Sequence, residues 1–443
     1  MYRLLILSYL VASFYKTHMF GVIISYCEFL SPIAVVATES KFRLKRAGNC
    51  GTLWTEKIKP KAGVLNMLIR NAALYCGSDF IPNGDVRIRD GVIAEAGADL
   101  RAESGEKEMD LAGDYLLPGF VDVHIHAFAG RDTMQGEEAV RAMSRELRRI
   151  GVAAFCPTTM SADPEETLRA VRGIRAVMDR PEPAGARVLG AHMEAPFLQE
   201  TKAGAQRKEF FSDPSMEALE QLTGGDMGAV KLITVAPEKP GSEAFIRQAT
   251  AAGIHVSIGH TSATAEQAHA AADWGADHVT HTFNAQTPLL HRAPGVPGAA
   301  LTDSRLYCEM ICDGIHLHRD TVRLLALCKG PERAVAITDA MEAAGLPDGE
   351  YALGGQKVFV KEGAARLADG TLAGSVLTMR SALENLIHLF GIRPENACAM
   401  CTSTPADSVG EKLAGRIVPG APAILTRWSR DWRMTGVLDG AEA

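Results

Sequence analysis

The sequence predicts an α/β protein: a parallel (β/α)8 barrel accompanied by a small β module. Two observations carry this. After Pro118, apolar runs of strand length alternate with helical segments, and eight such runs can be counted. Before them, from Met67, short strand-like runs are punctuated by Gly, Asn and Asp. An open parallel sheet is the alternative that this alternation leaves standing.

The elements follow in chain order. Residues 1–66 read differently from the rest. "LLILSYLVASF" is apolar but is followed by Lys16 and His18, and the next apolar run contains Glu28 and Pro32. Neither run suits a signal peptide or a membrane anchor. The following stretch up to Gly63 has no period and reads as disordered. Met67 is therefore expected to be the natural start, with 1–66 an upstream extension. From Met67, "MLIRNAALYC" and "GDVRIRDGVIAEAGA" read as strands of a β module over 67–118.

The eight apolar runs are "FVDVHIH", "AAFCPTT", "RVLGAHME", "AVKLITV", "HVSIGH", "DHVTHT", "YCEMICDG" and "RAVAITDA". Between them, Val140, Met143, Leu147 and Ile150 recur at helical spacing, as do Leu168, Val171, Ile174 and Met178. Pro164 stands where a first-turn proline is tolerated. "SEAFIRQATAAG" and "TAEQAHAAADWGA" are further amphipathic candidates. The link between the sixth and seventh runs, rich in Pro and Gly, is a poor helix. A β excursion after the eighth run, one helix near "MRSALENLIHLFG" and a strand-like tail complete the chain. The barrel is placed at 119–394, and 395–443 holds a helix and strands that return to the first β module.

Composition excludes some functions. Hydrophobic residues make up 47% and charged residues 22%, as in an ordinary soluble enzyme. A net charge of −7 without a basic cluster argues against nucleic acid as the main partner. Nine scattered cysteines favour a reducing, cytoplasmic compartment over a disulfide framework. Cys398 and Cys401 form a lone CxxC, read as two thiols on one helix.

The first barrel strand carries His124 and His126. Alternate residues of a strand share a face, so both imidazoles point the same way. In a barrel that face is the interior, at the mouth where catalytic residues collect. HxH alone also fits a hydrogen-bonded core pair. The other strand ends favour metal: Glu194 ends strand three, His260 strand five, His281 strand six and Asp339 strand eight. His278 falls on the opposite strand face, His255 at a strand start, and His192 in a position to orient ligands. His18, His269 and His388 read as surface or packing residues.

The runs "PGFVDVHIHAFAG", "HMEAPFL", "SIGHTSAT", "THTFNAQTPLLHRAPGVPGAAL", "CDGIHLH", "ITDAMEAAG" and "LAGSVLTM" together resemble the N-acetylglucosamine-6-phosphate deacetylases of the amidohydrolase superfamily. The resemblance runs in order from about Met67 to the C-terminus. It implies a metal-dependent-hydrolase (β/α)8 TIM barrel, a small β-sandwich built from both chain ends, and a homodimer. It implies metal ligands at Glu194, His260 and His281, with a second ion on His124 and His126. One or two divalent ions are expected, zinc or iron. Other amidohydrolases bridge two metals with a modified lysine ending strand four; here Lys231 lies near that strand's start, so Glu194 would bridge instead.

Substrate contacts implied by the resemblance fall on Ala205, Gln206, Asn284, Ala285, Arg292, Asp313, Gly314, Ile315, His316, Leu372, Ala373 and Gly374. Gln206 stands where some members have histidine. Ala195 replaces a usual glycine, and its methyl is expected to crowd the metal. Arg292 is expected to reach the neighbouring subunit's site and grip phosphate through two parallel hydrogen bonds. Asp339 would take a proton from water and return it to the leaving amine. The implied reaction converts N-acetylglucosamine 6-phosphate to glucosamine 6-phosphate and acetate, in amino-sugar catabolism. The rivals are N-acetylgalactosamine 6-phosphate as substrate, an amidohydrolase acting on an unphosphorylated amide, and a non-catalytic relative.

Overall fold

A computed structural model describes residues 66–440. The expectations for residues 1–65, the apolar runs and His18 among them, lie outside the described residues. Among the described residues, no helix is long and apolar enough to cross a membrane.

The β module is a seven-stranded sheet. Its N-terminal strands are Met67–Tyr75, Phe80–Arg89, Val92–Ala98, Lys107–Asp110 and Tyr115–Pro118, and the tail returns as Ile424–Trp428 and Met434–Asp439. Ile424–Trp428 pairs antiparallel with Tyr115–Pro118, so both chain ends build one sheet. The sheet curls until its far edge meets the tail again: Ile93 N–H donates to Ala421 O at 2.8 Å. Its inward residues, among them Ile69, Leu74, Val86, Ile88, Ile93, Leu116 and Leu425, form a separate buried cluster.

The barrel strands are Phe120–Ile125, Val152–Thr159, a split third strand, Val230–Val235, His255–Ile258, His278–Val279, Tyr307–Ile311 and Ala334–Ile337. Neighbours pair in parallel all the way round. The ring closes where Ile125 bridges Ala340 and Asp339 N–H donates to His124 O at 2.8 Å. Closure decides against the open sheet. The third strand runs as Arg187–Val188 and Ala191–Met193 because it breaks at Gly190, which has φ 140°. A Cβ there would sit 2.8 Å from Lys231 Cβ, so only glycine lets the strands approach.

Helices cover the barrel with the expected faces inward. Glu137–Arg149 buries Val140, Met143 and Leu147, with acidic residues in its first turn and Arg148 and Arg149 in its last. Full burial of each such side chain is worth about 1.5–3 kcal/mol. Pro164–Asp179 starts with its proline in the first turn, and Asp163 caps it by accepting from the Glu165 and Glu166 N–H groups. Ser242–Ala251 and Ala265–Trp274 occupy their expected segments, the latter opened by a Thr264–Gln267 capping box.

Two expectations fail. The link between strands six and seven does contain a helix, Gly295–Thr302. Pro297 sits in its first turn, where an N–H has no intrahelical acceptor to lose. The tail holds three helices rather than one: Met379–His388, Pro394–Cys401 and Ser403–Ser408. Ala397 to Cys401 are buried consecutively, so the second of these has no polar face to betray its period. Cys398 and Cys401 are free thiols on that helix, and burial pushes both well up from their ordinary pKa. The β excursion is a three-stranded antiparallel sheet: Gly349–Leu353, Gln356–Lys361 and Ala364–Arg366.

Candidate active site

Six side chains converge at the C-terminal mouth of the barrel, where the strand ends deliver them. Glu194 Oε1 lies 3.2 Å from His260 Nε2 and 3.0 Å from His281 Nε2. Its Oε2 lies 3.2 Å from His126 Nε2. The Glu194 carboxylate therefore spans two donor clusters: Glu194, His260 and His281 on one side, and His124, His126 and Asp339 on the other. Asp339 Oδ1 is 3.2 Å from His126 Nε2 and 3.6 Å from His124 Nε2.

The backbone aims these groups. His260, His281 and Asp339 have φ of 45°, 28° and 48°, left-handed conformations costing on the order of 1–3 kcal/mol each. Each turns the chain sharply at a strand end. Gly259 lets strand five pass close to its neighbours, since a Cβ there would lie 2.6 Å from Thr280 Cβ. The strain at Asp339 is held by pairing on both sides: its N–H donates to His124 O, and its carbonyl accepts from Ser375 N–H at 2.7 Å.

The donor set fits divalent cations. His260 Nδ1–H donates to Lys202 O at 2.7 Å, and His126 Nδ1–H to Thr158 O at 3.3 Å. His124 Nδ1–H donates to the Glu309 carboxylate at 3.0 Å. Each bond fixes the tautomer and leaves Nε2 as a bare lone pair facing the cluster. His124 Nε2 is buried without a hydrogen-bond partner among the described residues, and His260 and His281 bring two Nε2 atoms to 3.1 Å. Lone pairs at that distance repel unless a cation or proton lies between them. Three buried carboxylates, Glu194, Asp339 and Glu309, add to this demand for positive charge. Burial alone would push the two HxH imidazoles down. Glu194, Glu309 and Asp339 instead pull His124 up to about 9, and Asp339 and Glu194 pull His126 up to about 10.

A cavity of about 330 Å³ opens beside the cluster. Of the expected substrate contacts, Ala205, Gln206, Asn284, Ala285, His316, Leu372 and Gly374 line it. Arg292, Asp313, Gly314, Ile315 and Ala373 do not. Arg292 is exposed, and Ala373 is fully buried under the β excursion. Asp313 acts behind the wall: its carboxylate accepts from Ile315 N–H, His316 N–H and His316 Nδ1–H, the last at 2.7 Å, and so holds the His316 ring. Gln206 is fully engaged with protein, accepting from Ser161 N–H at 2.7 Å and donating to Glu194 Oε2 at 2.5 Å. Ala195 does not line the cavity beside the cluster. Ala195 lines an adjacent cavity with Pro196 and Phe210 instead.

Glu309 and Lys202 were missed from sequence. Glu309 sits mid-strand, where nothing marks it as a partner of His124 across the barrel. Lys202 ends the short 3-10 turn Glu200–Lys202, which is too brief to show a period. His192 packs its ring against His124, 4.5 Å between centroids, but among the described residues the ring's one hydrogen bond is to Thr234. At the opposite strand ends, Asp277 receives His255 Nδ1–H at 2.6 Å and His278 Nδ1–H at 2.9 Å. Each imidazole meets its own oxygen of one carboxylate, the arrangement of a hydrogen-bonded bridge rather than a metal cage.

A parallel barrel with histidines and carboxylates at its mouth defines a metal-dependent hydrolase architecture, and the comparisons agree. The chain belongs to the amidohydrolase family, whose model matches residues 115–437. It is similar to an N-acetylglucosamine-6-phosphate deacetylase of Lysinibacillus sphaericus, with 36% identity covering 81% of this chain and 92% of that protein. It is equally similar to an N-acetylgalactosamine-6-phosphate deacetylase of Escherichia coli O157:H7, with 36% identity covering 80% and 93%. A Mycobacterium smegmatis N-acetyl-D-glucosamine-6-phosphate deacetylase mutant, solved in complex with N-acetyl-D-glucosamine-6-phosphate, superposes with a TM-score of 0.79 at 31% identity, covering 85% of this chain and 99% of that one.

Proposed function

We propose that the protein hydrolyses the acetamide of N-acetyl-D-glucosamine 6-phosphate, releasing D-glucosamine 6-phosphate and acetate in amino-sugar catabolism. The observation that carries this is the Glu194 carboxylate, spanning two donor clusters within hydrogen-bond distance of Asp339's neighbours at the cavity floor. Glu194, His260 and His281 would hold one divalent ion, zinc or iron, and His124 and His126 a second. Such ions supply Lewis acidity toward the amide carbonyl and acidify water.

The chain's own residues do the rest. Asp339 accepts a proton from water on its carboxylate and delivers it to the departing amine, so that the C–N bond breaks as the new C–O bond is kept. His316, braced by Asp313, and the loop at Asn284 and Ala285 orient the sugar phosphate. Arg292 belongs to an exposed segment in which Leu289 is 41% and Leu290 53% exposed. Apolar side chains beside an arginine that pairs with nothing among the described residues support a homodimer in which Arg292 enters the neighbouring site. The free thiols of the described cysteines suit a cytoplasmic setting.

The galacto epimer is the second reading, favoured by the equal identity to the E. coli relative. Turnover of both phosphosugars by one metal-analysed preparation tests the proposal. Release of acetate from neither sugar by metal-loaded protein would refute it, and a clear preference between them assigns the epimer.

A further inference from the structure

Among the described residues, Lys202 is the one Lys or Arg side chain in the wall of the cavity beside the cluster. Its ammonium donates to Gln286 O at 2.9 Å and pairs with no carboxylate among the described residues. An ammonium has three protons to donate, so two stay uncommitted. A half-buried cation that lines a cavity without a counter-ion is poised for an anionic ligand.

Its placement says which part of the ligand. Lys202's own carbonyl accepts from His260 Nδ1, which pins the residue to the metal-ligand end. Its side chain reaches the other way, to the loop that carries Asn284 and Ala285. Ala285 has φ 51°, and its N–H donates to no acceptor among the described residues. A free backbone N–H and an ammonium at one wall form an anion cradle, the ammonium more than 4 Å from the Glu194 and Asp339 carboxylates that would repel a phosphate. In a hexosamine 6-phosphate the reacting amide and the phosphate lie at opposite ends of the sugar, which matches this division of the cavity.

We propose that Lys202 is the in-chain cation that grips the substrate's phosphate, an inference that rests on the phosphosugar reading above. Arg292, exposed and outside this cavity, then adds a second contact only in the dimer. Within each chain Lys202 supplies the charge and the Ala285 N–H a neutral donor.

The test uses metal-loaded, full-length wild type, Lys202→Met and Lys202→Arg. Each is assayed on N-acetylglucosamine 6-phosphate and on N-acetylglucosamine, with inorganic phosphate as a competing inhibitor and metal content measured on the same samples. Lys202→Met is expected to cut the ratio of kcat/KM for the two sugars about ten-fold or more, through KM. It is also expected to weaken inhibition by phosphate by a similar factor, with wild-type metal content. Lys202→Arg is expected to keep most of both. An unchanged ratio overturns the proposal. So does equal loss on both sugars with loss of metal, which would make Lys202 a loop pin for His260. Wild type that uses both sugars equally and ignores phosphate overturns the phosphosugar reading itself, and the Lys202 proposal with it.

Discussion

Glu309 Oε2 lies 3.0 Å from His124 Nδ1, with both side chains wholly buried, and the same oxygen accepts from His281 N–H at 3.1 Å. One carboxylate thus steers a histidine of each cluster. Glu309→Gln keeps the shape and one acceptor but removes the charge that makes His124 a stronger donor. The variant is expected to bind the HxH-side ion about 10–100-fold more weakly, while the ion on Glu194, His260 and His281 is held more nearly as in wild type. Metal stoichiometry against free-ion concentration checks this. Equal affinity for both ions in both proteins would remove Glu309 from the metal site.

Gln206 joins its loop to the Glu194 carboxylate through its bond to Oε2. Gln206→Leu fills similar space without the donor. Metal is expected to dissociate roughly 10-fold more readily, with little change in KM once metal is saturating. A raised KM with unaltered metal affinity would instead make Gln206 a substrate contact, as the family resemblance implies.

Arg292 across a dimer can be tested by complementation. Arg292→Ala and Asp339→Asn are each expected to be nearly inactive on the phosphosugar as homodimers. Mixed dimers pair an intact Asp339 on one chain with an intact Arg292 from the other, and so rebuild one complete site. Recovery toward a quarter of wild-type activity on mixing and reassociation is expected, since about half of the randomly paired dimers are mixed and each has one good site. No recovery would place Arg292 in its own chain's site or outside any site.

The strand-end residues were legible because two rules act together. Period-two alternation puts His124 and His126 on one face, and barrel topology gathers every strand's C-terminal end at one mouth. Glu194, His260, His281 and Asp339 follow from those rules alone. The residues that steer them were not legible, for a physical reason. Glu309 meets His124 only after strands one, seven and eight close the ring. Lys202 ends a single 3-10 turn and Gln206 lies in the loop after it, both too short to show a period, and their partners are fixed by tertiary folding. Ala195 lines the adjacent cavity rather than the one beside the cluster, a placement fixed only by tertiary folding.

Asp277 anchors His255 and His278 where strands five and six begin. Burial would raise its pKa, but His278 and His255 outweigh it and hold the carboxyl well below the usual carboxylate range. A depressed folded-state pKa contributes stability that is complete above the unfolded value of about 3.9 and is lost as pH falls toward the folded value. Asp277→Asn should therefore melt below wild type at pH 5 and above, and the gap should narrow as pH drops below about 4. A gap that is constant between pH 7 and 3.5 would show that the ionised carboxylate adds nothing.

Asp339 is buried, lines the cavity and is held by backbone bonds on both sides. Its Oδ1 faces the Nε2 atoms of His126 and His124, so it stands where it can either ligate an ion or exchange a proton with water. Asp339→Asn separates these roles. Asparagine has nearly the same size and can still accept a hydrogen bond, but it cannot take up a proton near neutral pH or return one to the amine. If Asp339 carries the proton, the variant should keep the ion on Glu194, His260 and His281 and bind the phosphosugar with an affinity near wild type. Its kcat should fall by at least the roughly 10²–10⁴-fold that general acid–base catalysis supplies. If Asp339 is only a ligand, the variant should lose metal, and added metal should restore much of the rate. The two measurements, kcat and metal content on one sample, tell these apart. A metal-replete Asn variant with kcat close to wild type would remove Asp339 from the proton path and require another base at this site.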